Sequence, residues 1–271
     1  MASEGEISLH GFTEADHGAA LQAYVEALEA FDSLGELQEL KVLARERTRT
    51  VAGRTALDVG CGFGLETLRL AEAVRPSGHV SGIDKSQEFV ALAQRRAAAA
   101  GLAIDLRTGD AQVLPYPDHG FDIVRAERVM VYLPEPAKAL AEMRRVARPG
   151  GRIAIIEPDF GTNVINVPDR ALNRAVLDHE CDANVPQGWL VRDLSAMLAD
   201  QGFRDVEVAT RIVLFTPELA AGYFTQTGRS ALQAGAIDAA GLERWTSMIA
   251  DLKARGRLFA AIGYYLFTAT A

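Results

Sequence analysis

The stretch Ala56-Leu57-Asp58-Val59-Gly60-Cys61-Gly62-Phe63-Gly64 combines an acid with glycine at every second position. Glycines so spaced let a backbone approach a ligand closely and adopt angles that other residues resist. Further along, Gly82-Ile83-Asp84 and Gly109-Asp110-Ala111 each set a carboxylate behind an apolar run. A carboxylate only accepts hydrogen bonds, and its two oxygens suit a pair of hydroxyls or an amine. Arg125, Glu127 and Arg128, then Glu157, Pro158 and Asp159, follow two more apolar runs. Among these Glu127 is the best candidate for a base or substrate anchor, against the plainer role of a solvated ion pair with Arg125 or Arg128.

Two ligand classes use such a glycine turn. A dinucleotide requires G-x-G-x-x-G, whose third glycine permits close helix packing beside the pyrophosphate. Starting from Gly60 and Gly62 the third position is Leu65, and starting from Gly62 and Gly64 it is Thr67. Neither fits. The pattern present is D-x-G-x-G-x-G.

These residues need a scaffold, and the hydrophobic pattern supplies one. Thr55 to Val59, His79 to Ile83, Ala103 to Arg107, Phe121 to Arg125 and Arg152 to Ile156 read as strands. Helical segments Leu65 to Val74, Ser86 to Ala100 and Pro136 to Arg148 separate them, with Ser86 as an N-cap and Gly101 as a stop. Strands alternating with helices of this length imply right-handed crossovers and a parallel sheet covered on both faces. Ligands of such sheets bind beyond the carboxyl ends of the strands, where the glycines and acids fall.

Three pieces depart from the alternation. Asp16 to Arg47 reads as amphipathic helix broken at Gly35, with Leu21, Tyr24, Val25, Leu28 and Phe31 on one stripe. Pro158 to Gly188 has turn residues at both ends and a helical middle, Arg170 to Cys181. Pro217 to Arg255 is helical, set between strands Phe203 to Phe215 and Leu258 to Thr268. Domain organisation is therefore read as a helical cover over 1–50, then one domain over 51–271 with inserted covers near 158–188 and 216–256. Acceptor specificity is expected in these variable covers.

The chain has 271 residues, 49% hydrophobic and 24% charged, with a formal charge of -8. That length and composition suit a buried core. The acidic balance and the lack of a basic stripe argue against nucleic acid or anionic lipid as partner. Cys61 and Cys181 lack metal-site spacing or a disulfide framework, so no metal is expected. His179-Glu180 are adjacent on a helix and point different ways, so they form no facing ligand pair. Tyr223, Phe224, Trp245, Tyr264 and Tyr265 are candidates for an aromatic pocket or for core packing. The acidic N-terminus resembles no signal peptide, and Leu258 to Phe267 is too short to span a bilayer. A cytoplasmic location is expected, and the arginine and alanine bias suggests a GC-rich bacterial genome. A homodimer is compatible with the sequence but nothing in it fixes the oligomeric state.

The ordered segments, from Asp58 to Gly64 through Gly82-Ile83-Asp84, Gly109-Asp110-Ala111, Leu114-Pro115-Tyr116-Pro117, Phe121-Asp122-Ile123-Val124 and Leu133-Pro134-Glu135-Pro136 to Arg148-Pro149-Gly150-Gly151-Arg152, resemble the class I S-adenosylmethionine-dependent methyltransferases. Within that class they are similar to the small-molecule branch that includes the ubiquinone and menaquinone biosynthetic enzymes. The resemblance is close over Arg54 to Asp159 and loose elsewhere. It implies a Rossmann-like fold: seven mostly parallel strands, the last antiparallel, with helices on both faces and helical covers. It implies S-adenosylmethionine as cofactor and a small organic molecule as methyl acceptor. The implied cofactor contacts are Asp58, Gly60, Cys61, Gly62, Gly64, Asp84, Lys85, Asp110, Ala111 and Arg125. In this scheme the glycines wrap the methionine part and Asp58 orients its amino group. Asp84 takes the ribose hydroxyls, Asp110 the adenine amine, and the Ala111 N–H the ring.

Glu127, Arg128 and Tyr132 are the catalytic candidates. Relatives often carry His where this chain has Tyr132, so a histidine role does not transfer. His10 and His17 lie in a segment that covers the cofactor in some relatives. Some members of the class catalyse cyclisation or elimination with the cofactor bound structurally, and a cofactor-sensing module without turnover is a third reading. An NAD-dependent dehydrogenase is disfavoured by the missing third glycine. DNA amino-methylation is disfavoured too, because Arg125-Ala126-Glu127-Arg128 stands where an Asn-Pro-Pro-Tyr-like segment would be expected.

Overall fold

The computed structural model describes residues 18–271; His10 and His17 lie outside the described residues. The chain opens with helices α1 (Gly18–Asp32) and α2 (Gly35–Arg47). The α1 stripe buries Tyr24, Val25, Leu28 and Phe31, the spacing the sequence shows. The alternating core follows as β1 (Thr55–Val59), α3 (Leu65–Val74), β2 (His79–Asp84), α4 (Gln87–Ala99), β3 (Asp105–Thr108), β4 (Phe121–Glu127), α5 (Pro136–Val146) and β5 (Ala147–Ile165). The chain closes with α6 (Arg170–His179), a π-helical turn (Glu180–Asn184), α7 (Leu190–Asp200), β6 (Arg204–Leu214), α8 (Pro217–Gln233), α9 (Ala239–Ala254) and β7 (Ala260–Thr270).

Seven strands form one sheet in the order β3-β2-β1-β4-β5-β7-β6. Six are parallel and the last antiparallel, the Rossmann-like arrangement. In register, Asp58 pairs with Gly82 on one side and with Arg125 on the other. The strand order reverses between β1 and β4, and such a switch point opens a crevice at the carboxyl ends. Asp58, Asp84 and Glu127 sit at those ends.

The fifth strand differs from the sequence reading. It runs for 19 residues rather than ending near Ile156, and Pro158 lies inside it. At its start, Gly150 N–H donates to Ala271 O and Ala271 N–H to Gly151 O. Near its end, Asn166 N–H donates to Phe259 O. A strand distant in sequence thus supplies the pairing that keeps it extended, and no local pattern reports that.

The chain divides into two compact units. The first, the sheet unit, comprises Glu39–Glu157, Val191–Thr210 and Tyr265–Ala271. Its core includes Ala56, Leu70, Val74, Val80 and Ile123 in one cluster, with Val90, Ala93 and Leu106 in another. The second, the helical unit, gathers the described residues up to Gln38 with Pro158–Leu190 and Arg211–Tyr264. Trp245 is its largest fully buried side chain and donates through Nε1 to Phe224 O at 2.7 Å. The unit holds 158–188 and 217–255 whole, and of the first helical segment only the described part up to Gln38. Its first boundary falls within α2. The physical reason is that Lys41 and Arg45 form ion pairs with Glu127 and Glu66 of the sheet unit. Among the described residues no helix is long and apolar enough to cross a membrane.

Ser86 caps α4 by accepting from Phe89 N–H at 3.2 Å. Ser86→Ala is expected to cost about 1 kcal/mol, the usual size of an N-cap loss, read as a lower urea midpoint with an unchanged slope.

Candidate cofactor site

The glycine turn joins β1 to α3. Gly60 N–H and Cys61 N–H both donate to Ile83 O, at 2.8 and 3.0 Å, which ties the turn to the end of β2. Gly60 and Gly62 adopt φ of 71° and 52°, in the left-handed region that glycine tolerates. At Gly60 a Cβ would lie 2.2 Å from Val129 Cγ2, so the side chain that follows β4 packs directly on the backbone. At Gly62 a Cβ would meet nothing within 4 Å. The turn is therefore sealed on one side and open above Gly62.

Asp84 faces that opening from the tip of β2. Its Oδ2 accepts from Gly62 N–H at 2.8 Å and its Oδ1 from Ser86 N–H at 2.9 Å. A carboxylate has about four acceptor positions, and the Lys85 N–H also bears on this one, so it keeps capacity for a further donor. Burial pushes its pKa up, while these backbone donors oppose the shift. Lys85 beside it is exposed. Asp110 is exposed and accepts from Gln112 N–H at 2.8 Å; Gln112 in turn accepts from Glu135 N–H at 3.2 Å. Ala111 is half-buried between them. Cys61 is buried, and a Cβ on Gly82 would lie 3.1 Å from its sulfur. Burial, with the carboxylates of Asp58 and Asp84, pushes the Cys61 thiol up, so it stays protonated.

Asp58 is buried, with Oδ2 accepting from Thr67 Oγ1 at 2.6 Å and Oδ1 paired with Arg125 at 2.8 Å. Arg125 also donates to Glu127 Oε2 at 2.6 Å, and Glu127 Oε1 lies 2.9 Å from Lys41 Nζ. Arg128 Nε stands 3.9 Å from the same carboxylate. The result is a ladder of alternating charge, Asp58–Arg125–Glu127–Lys41, across the ends of β1 and β4 and onto α2. Burial works against the Arg125 charge, but Asp58 and Glu127 outweigh it and raise its pKa. Burial alone would raise Glu127, yet Lys41, Arg125 and Arg128 pull it down to about 2. A carboxylate held that firmly ionised is a poor proton acceptor near neutral pH. The sequence reading of a solvated pair also changes, because both side chains are only 7% exposed.

The remaining rim residues are also committed to structure. Arg128 takes a left-handed φ of 53°, and its N–H donates to Ile156 O at 2.9 Å. Glu157 is fully buried rather than on a rim. Its Oε1 accepts from Val129 N–H at 2.9 Å and Met130 N–H at 2.7 Å, capping the 3-10 turn Met130–Tyr132. Burial raises its pKa to about 8 against those two donors. Glu157 thereby places Val129, which covers Gly60. Tyr132 is half-buried at the end of that turn, and Asp159 is buried. Sequence reasoning missed Lys41, Thr67, Gln112 and Val129. Lys41 carried one available signal, a charge on the apolar side of α2 between Leu40 and Ala44.

In the helical unit, Tyr223, Phe224 and Tyr264 join Phe31 and Phe215 in one aromatic cluster. His179 and Glu180 point to different partners: Ser230 Oγ lies 3.1 Å from His179 Nε2, and Glu180 accepts from Tyr223.

A Rossmann-like sheet with an alternating glycine turn, a carboxylate at the next strand tip and open space above Gly62 defines a nucleoside-cofactor protein without dinucleotide spacing. A family described as "Methyltransferase domain" matches residues 51–202. The chain belongs to that family, and its fold is that of the class I S-adenosylmethionine-dependent methyltransferases. It is 39% identical over 222 residues to an uncharacterized 37.1 kDa protein in transposon Tn4556 of Streptomyces fradiae, covering 81% of this chain and 63% of that one. It is 38% identical over 122 residues to a demethylmenaquinone methyltransferase of Lactobacillus johnsonii, covering 44% and 50% respectively. The chain thus spans between about half and just under two thirds of these relatives' lengths. Among solved structures it resembles the cyclase SpnF, at 26% identity and a TM-score of 0.56, covering 86% of this chain and 81% of that one.

Removing one partner from a buried ion network strands the others. Glu127→Ala is expected to lower the unfolding free energy by about 3–5 kcal/mol, measured by urea titration. The Glu157 carboxyl stays protonated in the folded chain up to about pH 8, whereas an unfolded glutamic acid ionises near 4.5. The unfolded chain then binds fewer protons between those values, so stability falls as pH rises through the window. Thermal melts at pH 5 and 8.5 check this: Glu157→Gln is expected to lose less melting temperature over the interval than the parent.

Proposed function

We propose that the chain transfers a methyl group from S-adenosylmethionine to an oxygen or carbon of a small organic metabolite. The observation that carries this reading is the turn left open above Gly62 with Asp84 facing it. When bound, the cofactor supplies a methyl group already activated on a sulfonium. The protein's task is then to align the acceptor and exclude water. Gly60, Gly62 and Gly64 give the backbone its close approach, and Cys61 forms a neutral wall. The acceptor capacity left on Asp84 suits a ribose hydroxyl. Asp110 and Ala111 offer an acceptor and a donor for adenine, and Lys85 stands at the same rim. Asp58 and Arg125 act through each other: their pair anchors α3, by way of Thr67, to the strand ends. Arg128 and Tyr132 remain the acceptor-side candidates. Glu127 serves the ladder, not proton removal.

A small-molecule acceptor, rather than nucleic acid, is supported by the net charge of -8. A cytoplasmic setting is supported by the buried thiols of Cys61 and Cys181.

A second reading keeps the cofactor site but changes the chemistry to cyclisation. The likeness to SpnF favours it, and so does the lack of a competent base at Glu127. Incubation with S-adenosylmethionine and a metabolite panel separates the two. Methylation releases S-adenosylhomocysteine and adds one methylene of mass to a product, whereas cyclisation leaves the cofactor intact.

Calorimetry with S-adenosylhomocysteine tests the shared cofactor site. Asp84→Ala is expected to weaken binding by about 1–3 kcal/mol, on the order of 5–150-fold, the size of losing charge-assisted hydrogen bonds. Heat with NAD but with neither form of the methyl donor would remove the proposal.

A further inference from the structure

Among the described residues β6 is the last strand of the sheet, with β7 on one side of it. Phe215 N–H, at the end of β6, donates to Ala260 O at 3.0 Å, so the odd-numbered residues turn their backbone groups toward β7. Successive residues of a strand turn those groups to opposite edges. The groups of Val206, Val208, Ile212 and Leu214 therefore point to the outer edge. Side chains alternate just as regularly. Val208, Ile212 and Leu214 are 48%, 58% and 46% exposed, whereas Ala209 and Arg211 are half-buried and Val213 is buried. The start of the strand is bent at Asp205, whose φ is 52°. Edge strands are commonly guarded against pairing by lysine or proline. Between Arg204 and Leu214 there is neither, and the exposed side chains are apolar.

The charges of the strand fit a second copy of itself. Two copies related by a two-fold axis normal to the sheet run antiparallel, and the residue on the axis defines the register. An axis at Glu207 sets two carboxylates against each other, and one at Arg211 two guanidiniums; like charges directly opposite are unfavourable. An axis at Thr210 leaves both charges opposite apolar residues. An axis at Val208 sets Arg211 against Asp205, where the strand is bent. An axis at Ala209 sets Glu207 of each copy against Arg211 of the other, so the ion pair forms twice. In that register Val208 faces Thr210 and Val206 faces Ile212, and their outward backbone groups exchange hydrogen bonds. Ala209 with itself and Glu207 with Arg211 are the non-hydrogen-bonded pairs, whose Cα atoms come closest, about 4.5 Å apart. A methyl group on the axis suits that approach. Ile212 packs on Val206 of the other copy, with Val208 on the diagonal. Glu207 Oε2 lies 3.4 Å from Arg47 of its own chain, which leaves its second oxygen for the contact.

We infer that β6 is an interaction surface for a second copy of this chain: two β6 strands pair antiparallel about Ala209 and join two sheets into one. The pairing gives the outward backbone groups partners and covers Val208 and Ile212. It does not depend on the methyl-transfer reading. One strand pair is small beside the about 1,200–2,000 Å² of a stable interface, so the dimer is reversible and its population rises with concentration.

Sedimentation velocity on the full chain, from about 1 to 500 µM, reads the monomer–dimer equilibrium. The parent is expected to move toward the mass of two chains across that range. Glu207→Arg sets like charges opposite each other at both symmetric positions and is expected to weaken dimerisation by about tenfold or more. Ile212→Lys is expected to do the same by placing a charge in the apolar strip, and it carries the test should Glu207→Arg not fold, which far-UV circular dichroism reports. The register is read by cross-linking with oxidised glutathione. Ala209→Cys is expected to give a disulfide-linked dimer, because residues facing each other across the axis lie within the about 4.4–6.8 Å that a disulfide spans. Val208→Cys, although more exposed in the single chain, faces its own copy only on the diagonal, about 7–8 Å away, and is expected to cross-link at least about fivefold more slowly. A parent that stays monomeric over the whole range overturns the inference. So does a dimer that both charged substitutions leave intact, or a Val208→Cys chain that cross-links as fast as Ala209→Cys.

Discussion

The turn after β1 must pass close to a ligand without a side chain in the way, yet it must not collapse into the space it leaves. Three neighbours hold it. Ile83 O takes two of its N–H groups, Asp84 takes the Gly62 N–H, and Val129 lies on Gly60 where any side chain would collide. Every other feature of the site serves one of these contacts. Glu157 caps the turn that carries Val129, and the register of β1 against β2 brings Asp84 level with the glycines.

Charge is handled by pairing in one place and by neutralisation in another. The ladder from Asp58 to Lys41 buries ions that would be costly alone, and each carboxylate in it lies beside at least one cation. Glu157, by contrast, is fully buried, and burial outweighs its two backbone donors with Glu127 adding to it, so its proton is retained near neutral pH. Two glutamic acids on adjacent strands thus carry opposite protonation preferences because their partners differ. Neither arrangement supplies a free base. That suits a reaction whose electrophile arrives activated and whose acceptor needs alignment more than deprotonation.

The helical unit follows a different logic. Its core is aromatic, and through it runs one polar chain with a fixed hydrogen-bond direction. Buried polar chains of this kind specify geometry more than they add stability. Covering segments can change while the strand ends stay the same, which lets one scaffold serve many acceptors.

Local sequence determined a good deal. Alternating apolar runs and helix caps placed β1 and α3 at the residues where they occur, and the glycine and acid spacing marked the turn and Asp84. These signals are legible because hydrophobic period, capping and glycine conformation are properties of a few consecutive residues. The tertiary structure decided the rest. Asp58 pairs with Arg125 and Thr67; Glu157, read as a rim residue, is enclosed as a cap. Lys41 reaches Glu127, and β5 continues past Pro158 because β7 pairs with it. Each of these outcomes depends on groups tens of residues apart meeting in low-dielectric surroundings, where the energy of a charge or an N–H is set by its neighbours in space and not by its neighbours in the chain.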